Sequence, residues 1–190
     1  MNISFSGAQS TGKTTLLNEC KQNPFFNGFE FVPEVTRLVK RKFDVDINEA
    51  GNDITQLCII NQHLENYLNL KSKDVVMDRC ILDGVVYTEY LYNQGMVSNW
   101  ILEYAKNMFH KLVSELDIIL YTFPDVPLED DGERSVNVGF REDVIQIFEK
   151  YMDMISTSYQ NVSLVTLKGS VDERMEKLVG SVEKILEKQN

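Results

Sequence analysis

The segment GAQSTGKT at residues 7–14 has the residue types and spacing of a phosphate-binding loop, Gly-x-x-x-x-Gly-Lys-[Ser/Thr]. Gly7 and Gly12 permit backbone turns that point successive N–H groups into a concavity for phosphate oxygens. Lys13 is expected to reach the β- and γ-phosphates of a nucleotide, and the Thr14 hydroxyl is expected to ligate Mg²⁺. We therefore predict a nucleoside triphosphate site formed by Gly7, Ser10, Thr11, Gly12, Lys13, Thr14 and Thr15.

Charged residues follow two further predicted strands. Glu34 comes just after an apolar run at residues 29–32, and Asp78 ends a buried strand and is followed by Arg79. Because the carboxyl ends of parallel strands meet at one rim of a sheet, these side chains are expected beside the phosphate-binding loop. An ATPase that activates water usually carries Glu where this chain has Arg79, and the guanine-reading Asn-Lys-x-Asp segment of GTPases does not occur in the sequence. A basic residue at this place favours phosphoryl transfer to a second substrate over hydrolysis.

The elements that position these residues alternate between strands and helices. Apolar runs predict strands at residues 2–6, 29–32, 74–78, 118–123 and 162–167. Helical periodicity predicts helices after the loop at 7–14 and at residues 35–42, 54–70, 84–94, 100–116, 142–159 and 171–188. This order predicts an α/β fold of three layers, with about five parallel strands and helices on both faces. We expect one domain over residues 1–190, with a polar, acidic lid at about residues 125–140.

Composition narrows the function classes. The chain has 190 residues, 43% hydrophobic and 25% charged, which is typical of a globular protein. A net charge of −10 disfavours an extensive nucleic-acid-binding surface, although one small basic cleft is compatible with it. Three widely spaced cysteines form no metal-binding pattern and favour a reducing compartment. With no apolar stretch long enough to span a membrane and no room for a signal peptide, we expect a cytoplasmic protein with no membrane partner.

Four segments together resemble a known kinase group. They are GAQSTGKTTL at residues 7–16, FVPEVTR at 31–37, VVMDRC at 75–80 and PLEDDGERS at 127–135. In this order they resemble the small P-loop kinases of the thymidylate kinase and deoxynucleoside kinase group. The pattern is closest to the nicotinamide-riboside-kinase-like branch and its phage relatives. The resemblance implies a P-loop NTPase fold with ATP and Mg²⁺ as cofactors.

The resemblance also implies roles for the rim residues. Glu34 resembles the acid that deoxynucleoside kinases place against the acceptor hydroxyl, where a carboxylate accepts the proton late in transfer. Asp78 and Arg79 resemble the Asp-Arg or Glu-Arg pair of these kinases. Asp78 would hold Mg²⁺ through water or orient the acceptor, and Arg79 would steady the transferring phosphoryl group. Arg37 would bind the polar or anionic end of the acceptor.

Two arginines resemble lid residues that close over the triphosphate and neutralise developing charge, namely Arg134 and Arg141. Two other polar residues are interpreted as structural. His63 is expected to be a packed or surface residue rather than a ligand, and Asp83 is expected to cap the helix that follows Arg79.

Four activities remain open at this point. The first is an ATP-dependent kinase that phosphorylates a hydroxyl of a nucleoside-like acceptor, and the second is a phage kinase that acts on 5-hydroxymethyluracil in DNA. The third is a thymidylate-like kinase of nucleoside monophosphates, for which Arg37 and Arg79 would bind the acceptor phosphate. The fourth is a regulatory ATPase without an acceptor. A homodimer is compatible with the sequence, and a viral source would place the protein in the host cytoplasm.

Overall fold

The computed structural model describes residues 1–126 and 137–189. Its strands are β1 (Asn2–Ser6), β2 (Glu30–Val32), β3 (Val75–Asp78), β4 (Ile118–Thr122) and β5 (Ser163–Leu167). Its α-helices are α1 (Lys13–Gln22), α2 (Val35–Phe43), α3 (Asp53–Leu70), α4 (Ile81–Asn93), α5 (Asn99–Leu112), α6 (Val138–Ser158) and α7 (Val171–Gln189). Short 3₁₀ helices at Pro24–Phe26, Asn48–Ala50 and Val113–Glu115 complete the described elements.

The five strands form one parallel sheet in the order β2-β3-β1-β4-β5. The predicted α/β fold and strand number are confirmed, and β3 pairs with β1 as expected. The register sets Phe5 beside Asp78 and Ser6 beside Tyr121, so three strands end level with one another. The carboxyl ends of β1, β3 and β4 therefore meet at one rim, where the charged residues follow them.

Alternation along each strand divides the core between two faces of the sheet. In β4, Ile118 and Leu120 pack with α1 and α7 on one face. Ile119 and Tyr121 pack with α3 to α6 on the other face. All five residues of β4 are buried, as expected for a central parallel strand covered on both sides. The result is the predicted three-layer arrangement of helices, sheet and helices.

Two helix starts and one helix end were predicted wrongly. Helix α4 begins at Ile81 rather than residue 84, because Asp83 at N3 forms a capping box with Cys80 at the N-cap. Helix α6 begins at Val138 rather than residue 142, because the side chain of Asn137 accepts a hydrogen bond from the backbone N–H of Phe140. Helix α5 ends at Leu112, where a 3₁₀ turn takes over.

Most of the predicted lid, residues 127–136, lies outside the described residues. Among the described helices, none combines the length and the apolar character needed to cross a membrane.

Candidate functional site

The loop between β1 and α1 depends on two glycines with left-handed backbone angles. Gly7 has φ +142°, and a Cβ atom there would lie 2.7 Å from Thr122 Oγ1 and 2.9 Å from the Thr122 carbonyl oxygen. Gly12 has φ +87° and is the N-cap of α1. Side chains with a Cβ resist such angles, and at Gly7 the end of β4 also leaves no room for one. The loop therefore lies tightly against β4, with the N-terminus of α1 directly behind it.

Arg174 of α7 holds the backbone of this loop through a hydrogen bond. Its side chain is 2% exposed, and Nη1 donates to the Thr11 carbonyl oxygen at 2.7 Å. It also donates to the Gly169 carbonyl oxygen at 2.9 Å and forms an ion pair with Asp125. Thr11 Oγ1 in turn lies 2.6 Å from Thr122 Oγ1. Arg174 was not predicted, because nothing in a helix with several charged residues marks this arginine as the buried one.

Asp83 joins the loop to the rim of β3. It is 2% exposed and accepts hydrogen bonds from the Ser6 hydroxyl and, at 3.4 Å, from the Gly7 N–H. It also accepts from the Cys80 N–H at 3.3 Å and from Arg79 Nη1 at 3.0 Å. The expected helix cap is present. The same carboxylate fixes the start of the phosphate-binding loop and one end of the Arg79 guanidinium, a double role that the sequence did not reveal.

The ammonium group of Lys13 lies within the loop. Nζ donates to the carbonyl oxygens of Gly7 and Ala8 at 2.8 and 2.5 Å, and to Thr11 Oγ1 at 3.2 Å. Burial lowers the pKa of Lys13 to about 7, and the positive charge of Arg79 adds to this effect. An incoming phosphate would stabilise the charged form of this lysine, because an opposite charge favours ionisation.

Thr14 and Asp78 form an oxygen-rich pair at the end of β3. The Thr14 hydroxyl donates to Asp78 Oδ2 at 2.7 Å. Asp78 Oδ1 is buried and has no hydrogen-bond partner among the described residues. Burial raises the pKa of Asp78, and the nearby Glu34 carboxylate raises it further. A buried carboxylate oxygen without a partner beside a hydroxyl fits Mg²⁺, which prefers hard oxygen ligands.

No group of three metal-ligating side chains occurs in the part of the chain that the structure describes. Mg²⁺ is usually held by one or two protein oxygens together with substrate phosphates and water.

Glu34 and Arg79 form an ion pair beside this magnesium-compatible pair. Arg79 Nε donates to Glu34 Oε1 at 2.9 Å, and Arg37 Nε donates to Glu34 Oε2 at 3.0 Å. Burial alone would raise the pKa of Glu34, but Arg79, Lys13 and Arg37 outweigh it and hold this pKa below its ordinary value. Glu34 is therefore ionised at neutral pH, with each carboxylate oxygen held by an arginine.

The backbone of Arg79 has a strained, left-handed conformation. Its φ of +78° is rare for a residue other than glycine. The N–H of Arg79 donates to the Phe5 carbonyl oxygen at 2.9 Å, and its guanidinium lies 5.1 Å from the centre of the Tyr87 ring. Such strain persists only where the surroundings impose it, and it concentrates at functional sites.

A small cavity that we call the inner cavity lies between α3 and α4. Gln56, His63, Arg79 and Tyr87 line it, and its volume is about 20 Å³. His63 is 6% exposed, and burial lowers its pKa to about 3, aided by the charge of Arg79. Of the packed and surface positions expected for His63, the structure shows the packed one, and the imidazole is neutral at neutral pH.

The structure brings together most of the predicted site residues. Ser10 is buried in the loop with φ +54°, whereas the side chain of Thr15 is exposed on α1. Arg141 lies inside α6 instead of preceding it, and its Nη2 donates to the Val126 carbonyl oxygen at 2.8 Å. Arg134 lies outside the described residues. Gln9 was not predicted, since the motif leaves its position open; it is 3% exposed, and its Nε2 has no partner among the described residues.

Comparison with known proteins gives a family match and structural neighbours. The profile of a family described as AAA domain matches residues 2–174. A structure of deoxyadenosine kinase from M. mycoides with dCMP and a flexible dCDP bound has a TM-score of 0.70 and 14% identity, covering 97% of this chain and 100% of that chain. NadR protein in complex with NR has a TM-score of 0.70 and 19% identity, covering 96% of this chain and 50% of that chain.

A second NadR structure, in complex with NAD and AMP-PNP, has a TM-score of 0.67 and 17% identity, covering 96% of this chain and 48% of that chain. At these identities the likeness establishes the fold. No curated protein sequence matches this chain.

Proposed function

The chain belongs to the AAA-domain family, and from this premise we propose that it is an ATP- and Mg²⁺-dependent kinase that phosphorylates a hydroxyl of a nucleoside-like acceptor. The observation that carries the proposal is the position of Glu34. Its ionised carboxylate is held by Arg79 and Arg37 at the rim where the phosphate-binding loop and Asp78 meet. A hydrolase has no need of a second carboxylate held by arginines at this place, whereas an acceptor hydroxyl needs a proton acceptor.

The nucleotide would be held by the loop from Gly7 to Thr15. The backbone N–H groups and the N-terminus of α1 favour phosphate binding, and Lys13 would neutralise the β- and γ-phosphates. Thr14 and Asp78 would hold Mg²⁺, which supplies charge neutralisation between the phosphates when it is bound. Ser10 and Arg141 complete the proposed nucleotide-binding residues, and Arg134 is retained as a lid residue from the sequence pattern alone.

Glu34 and Arg79 would act on the transferring group. Glu34 accepts the proton of the acceptor hydroxyl late in the reaction, so its lowered pKa does not impede a transition state with little bond formation to the acceptor. Arg79 is fixed by both Glu34 and Asp83, which holds its guanidinium in place before the reaction begins. Such preorganised charge is the main way in which proteins accelerate phosphoryl transfer.

The names of the structural neighbours favour a small nucleoside-like acceptor. One is named a deoxyadenosine kinase and another was solved with NR bound, which supports a metabolite over a base within DNA. A monophosphate acceptor remains compatible with Arg37 and Arg79. The arginine after Asp78 and the ionised Glu34 argue against a regulatory ATPase, which would hydrolyse ATP at a rate that no acceptor changes.

The test is transfer of label from γ-labelled ATP in the presence of Mg²⁺. A panel of nucleosides, nucleoside monophosphates and DNA containing 5-hydroxymethyluracil is offered to the wild-type protein and to Glu34→Gln. We expect transfer to at least one acceptor, and a loss of transfer in the variant. Absence of transfer to every acceptor, with slow hydrolysis that Glu34→Gln leaves unchanged, would show that the protein is not this kind of kinase.

A further inference from the structure

A wide cleft opens between α1 and α2, and Glu34 is one of its lining residues. Its volume is about 580 Å³, and its floor is formed by Thr14, Glu34 and Asp78. We call it the basic cleft, because its walls carry Lys21, Arg37, Arg41 and Lys42. The cavity around the phosphate-binding loop that also touches Glu34 measures about 10 Å³. The basic cleft is therefore the roomiest of the described cavities that reach the proposed reacting groups.

The charge of the cleft is opposite to that of the whole chain. The protein has a net charge of −10, yet the outer wall of the cleft presents Lys21 from α1 and Arg41 and Lys42 from α2. All three side chains are exposed, and within the described part of the chain none of them forms an ion pair. The two carboxylates on the floor are already engaged with Arg79, Arg37 and Thr14. The cleft thus has unneutralised positive charge.

The sequence of α2 explains why these cations share one wall. Arg37 and Arg41 are four residues apart and so lie on one face of the helix, as do Leu38 and Lys42. Val35 and Val39 lie on the side of the helix opposite Arg37 and Arg41 and are buried against Ile59 of α3, whereas Lys42 borders this buried side at the end of the helix. The apolar contact with α3 orients the helix, and the cations are turned toward Lys21 across the cleft. An arrangement of like charges that leads down to Glu34 is suited to an anion that lies beside the reaction site.

We infer that the basic cleft binds phosphate groups that the acceptor carries in addition to its reacting hydroxyl, so that the acceptor is a nucleoside phosphate ester rather than a neutral nucleoside. The inference rests on the proposed kinase function. It deepens that function by assigning the acceptor a charge and a direction of approach, between α1 and α2. A mononucleotide and a short single strand of nucleic acid both carry this chemistry. The negative charge of the remaining surface opposes a long duplex.

The first experiment measures binding without transfer. Thymidine, thymidine 5′-monophosphate and a fluorescein-labelled single-stranded decadeoxynucleotide are titrated into protein saturated with Mg²⁺ and a non-hydrolysable ATP analogue, which keeps the phosphate-binding loop occupied. The cleft variant carries Lys21→Gln, Arg41→Gln and Lys42→Gln. A matched control carries Lys111→Gln, Lys177→Gln and Lys184→Gln, which removes the same charge from exposed positions on α5 and α7.

We expect the cleft variant to bind at least one phosphate-bearing probe about tenfold more weakly than wild type, with a flatter dependence on salt. The control variant should bind nearly as wild type, and thymidine should be indifferent to both sets of substitutions. Loss for the monophosphate and the oligonucleotide alike indicates a mononucleotide acceptor, and loss for the oligonucleotide alone indicates a strand. Equal weakening in the cleft and control variants, or no binding of either probe to the wild type, would overturn the inference.

The second experiment separates this inference from the kinase proposal. With γ-labelled ATP, we expect the cleft variant to raise KM for the phosphate-bearing acceptor about tenfold and to leave kcat unchanged, because a uniform binding contact is removed. If binding depends on the cleft cations but no acceptor is phosphorylated, the phosphate site is supported and the kinase proposal is contradicted. If transfer occurs and its KM does not change in the cleft variant, the acceptor does not use the basic cleft.

Discussion

Two cavities meet at the Glu34–Arg79 ion pair, and they differ in access and in charge. The inner cavity between α3 and α4 has a volume of about 20 Å³, which is close to the space that one water molecule needs. Gln56, His63 and Tyr87 line it beside the Arg79–Asp83 ion pair, in which the two charges balance. The basic cleft between α1 and α2 has a volume of about 580 Å³ and four cationic side chains.

The difference indicates that the two cavities recognise a ligand in different ways next to the same Glu34–Arg79 ion pair. A closed cavity with buried hydrogen-bonding groups selects a ligand by its shape and by the pairing of polar atoms. Such a cavity admits the ligand only after its walls have moved. An open cleft with exposed cations attracts by charge and needs no rearrangement. An acceptor that reaches both would present its hydroxyl to Glu34, which lines the basic cleft and pairs with Arg79 of the inner cavity. Four substitutions test this arrangement, in decreasing order of expected effect.

The largest effect is expected when Glu34 loses its negative charge. Glu34→Gln keeps the shape of the side chain but cannot accept a proton, so kcat for phosphate transfer should fall about 10²- to 10⁴-fold. Initial rates with γ-labelled ATP measure this. Glu30→Gln on β2, four residues before Glu34, is the matched control, because Glu30 is exposed and pairs with Lys73 away from the site. If kcat for Glu34→Gln falls no further than kcat for Glu30→Gln, Glu34 has no part in the reaction.

The next effect is expected from Arg79→Lys. Arg79 bridges Glu34 and Asp83 with two different nitrogens, and a lysine ammonium cannot reproduce this fixed fork. We expect kcat to fall about 100-fold through loss of preorganised charge. Urea unfolding of the same variant provides the control. If the variant is unstable but its folded fraction turns over at the wild-type rate, Arg79 only supports the fold and the comparison of the two cavities loses its reactive centre.

The pH dependence of stability in a His63 variant tests whether the inner cavity excludes water and protons. Its pKa of about 3 in the folded state lies below the ordinary value of about 6.5, so the unfolded chain binds the proton that the folded protein excludes. Stability is therefore lost as the pH falls below about 6.5 toward 3, and His63 should account for about 2 kcal/mol of the loss between pH 7 and pH 5.

Urea unfolding at the two pH values should show a smaller loss for His63→Gln than for the wild type. His110→Gln, at the exposed histidine of α5, should retain the wild-type loss. If both variants behave like the wild type, the inner cavity admits water and protons freely, and its description as a closed cavity is wrong.

The smallest effect is expected from Gln56→Leu. Gln56 is 2% exposed in the inner cavity and accepts a hydrogen bond from Thr88 at 3.0 Å. We expect KM for the acceptor to rise about tenfold with little change in kcat, because an amide that pairs with an uncharged part of the acceptor is lost. Steady-state kinetics of transfer measure it, with ATP held at saturation. An unchanged KM would mean that the acceptor lies entirely on the side of the basic cleft.

The sequence alone predicted the sheet and the phosphate-binding loop well, because both depend on local patterns. Alternating apolar runs and helical spacing record which faces are buried, and the loop needs Gly7, Gly12, Lys13 and Thr14 at fixed spacing. The position of Asp78 beside Thr14 also followed, since strand ends in a parallel sheet share a rim. The start of α6 could have been predicted from Asn137, a favoured N-cap residue. The start of α4 could not, because Cys80 is not a usual cap.

Other features depended on contacts between distant parts of the chain. Arg174 supports Thr11 across 163 residues, and Asp83 holds Ser6 across 77 residues. The basic cleft needs α1 and α2 to face each other, and the inner cavity needs α3 and α4 to pack beside Arg79. The sequence determined which elements form and which residues follow the strands, because those signals are local. Only the tertiary structure decided which charges are buried, paired or left open, because burial and partner choice arise when the elements pack.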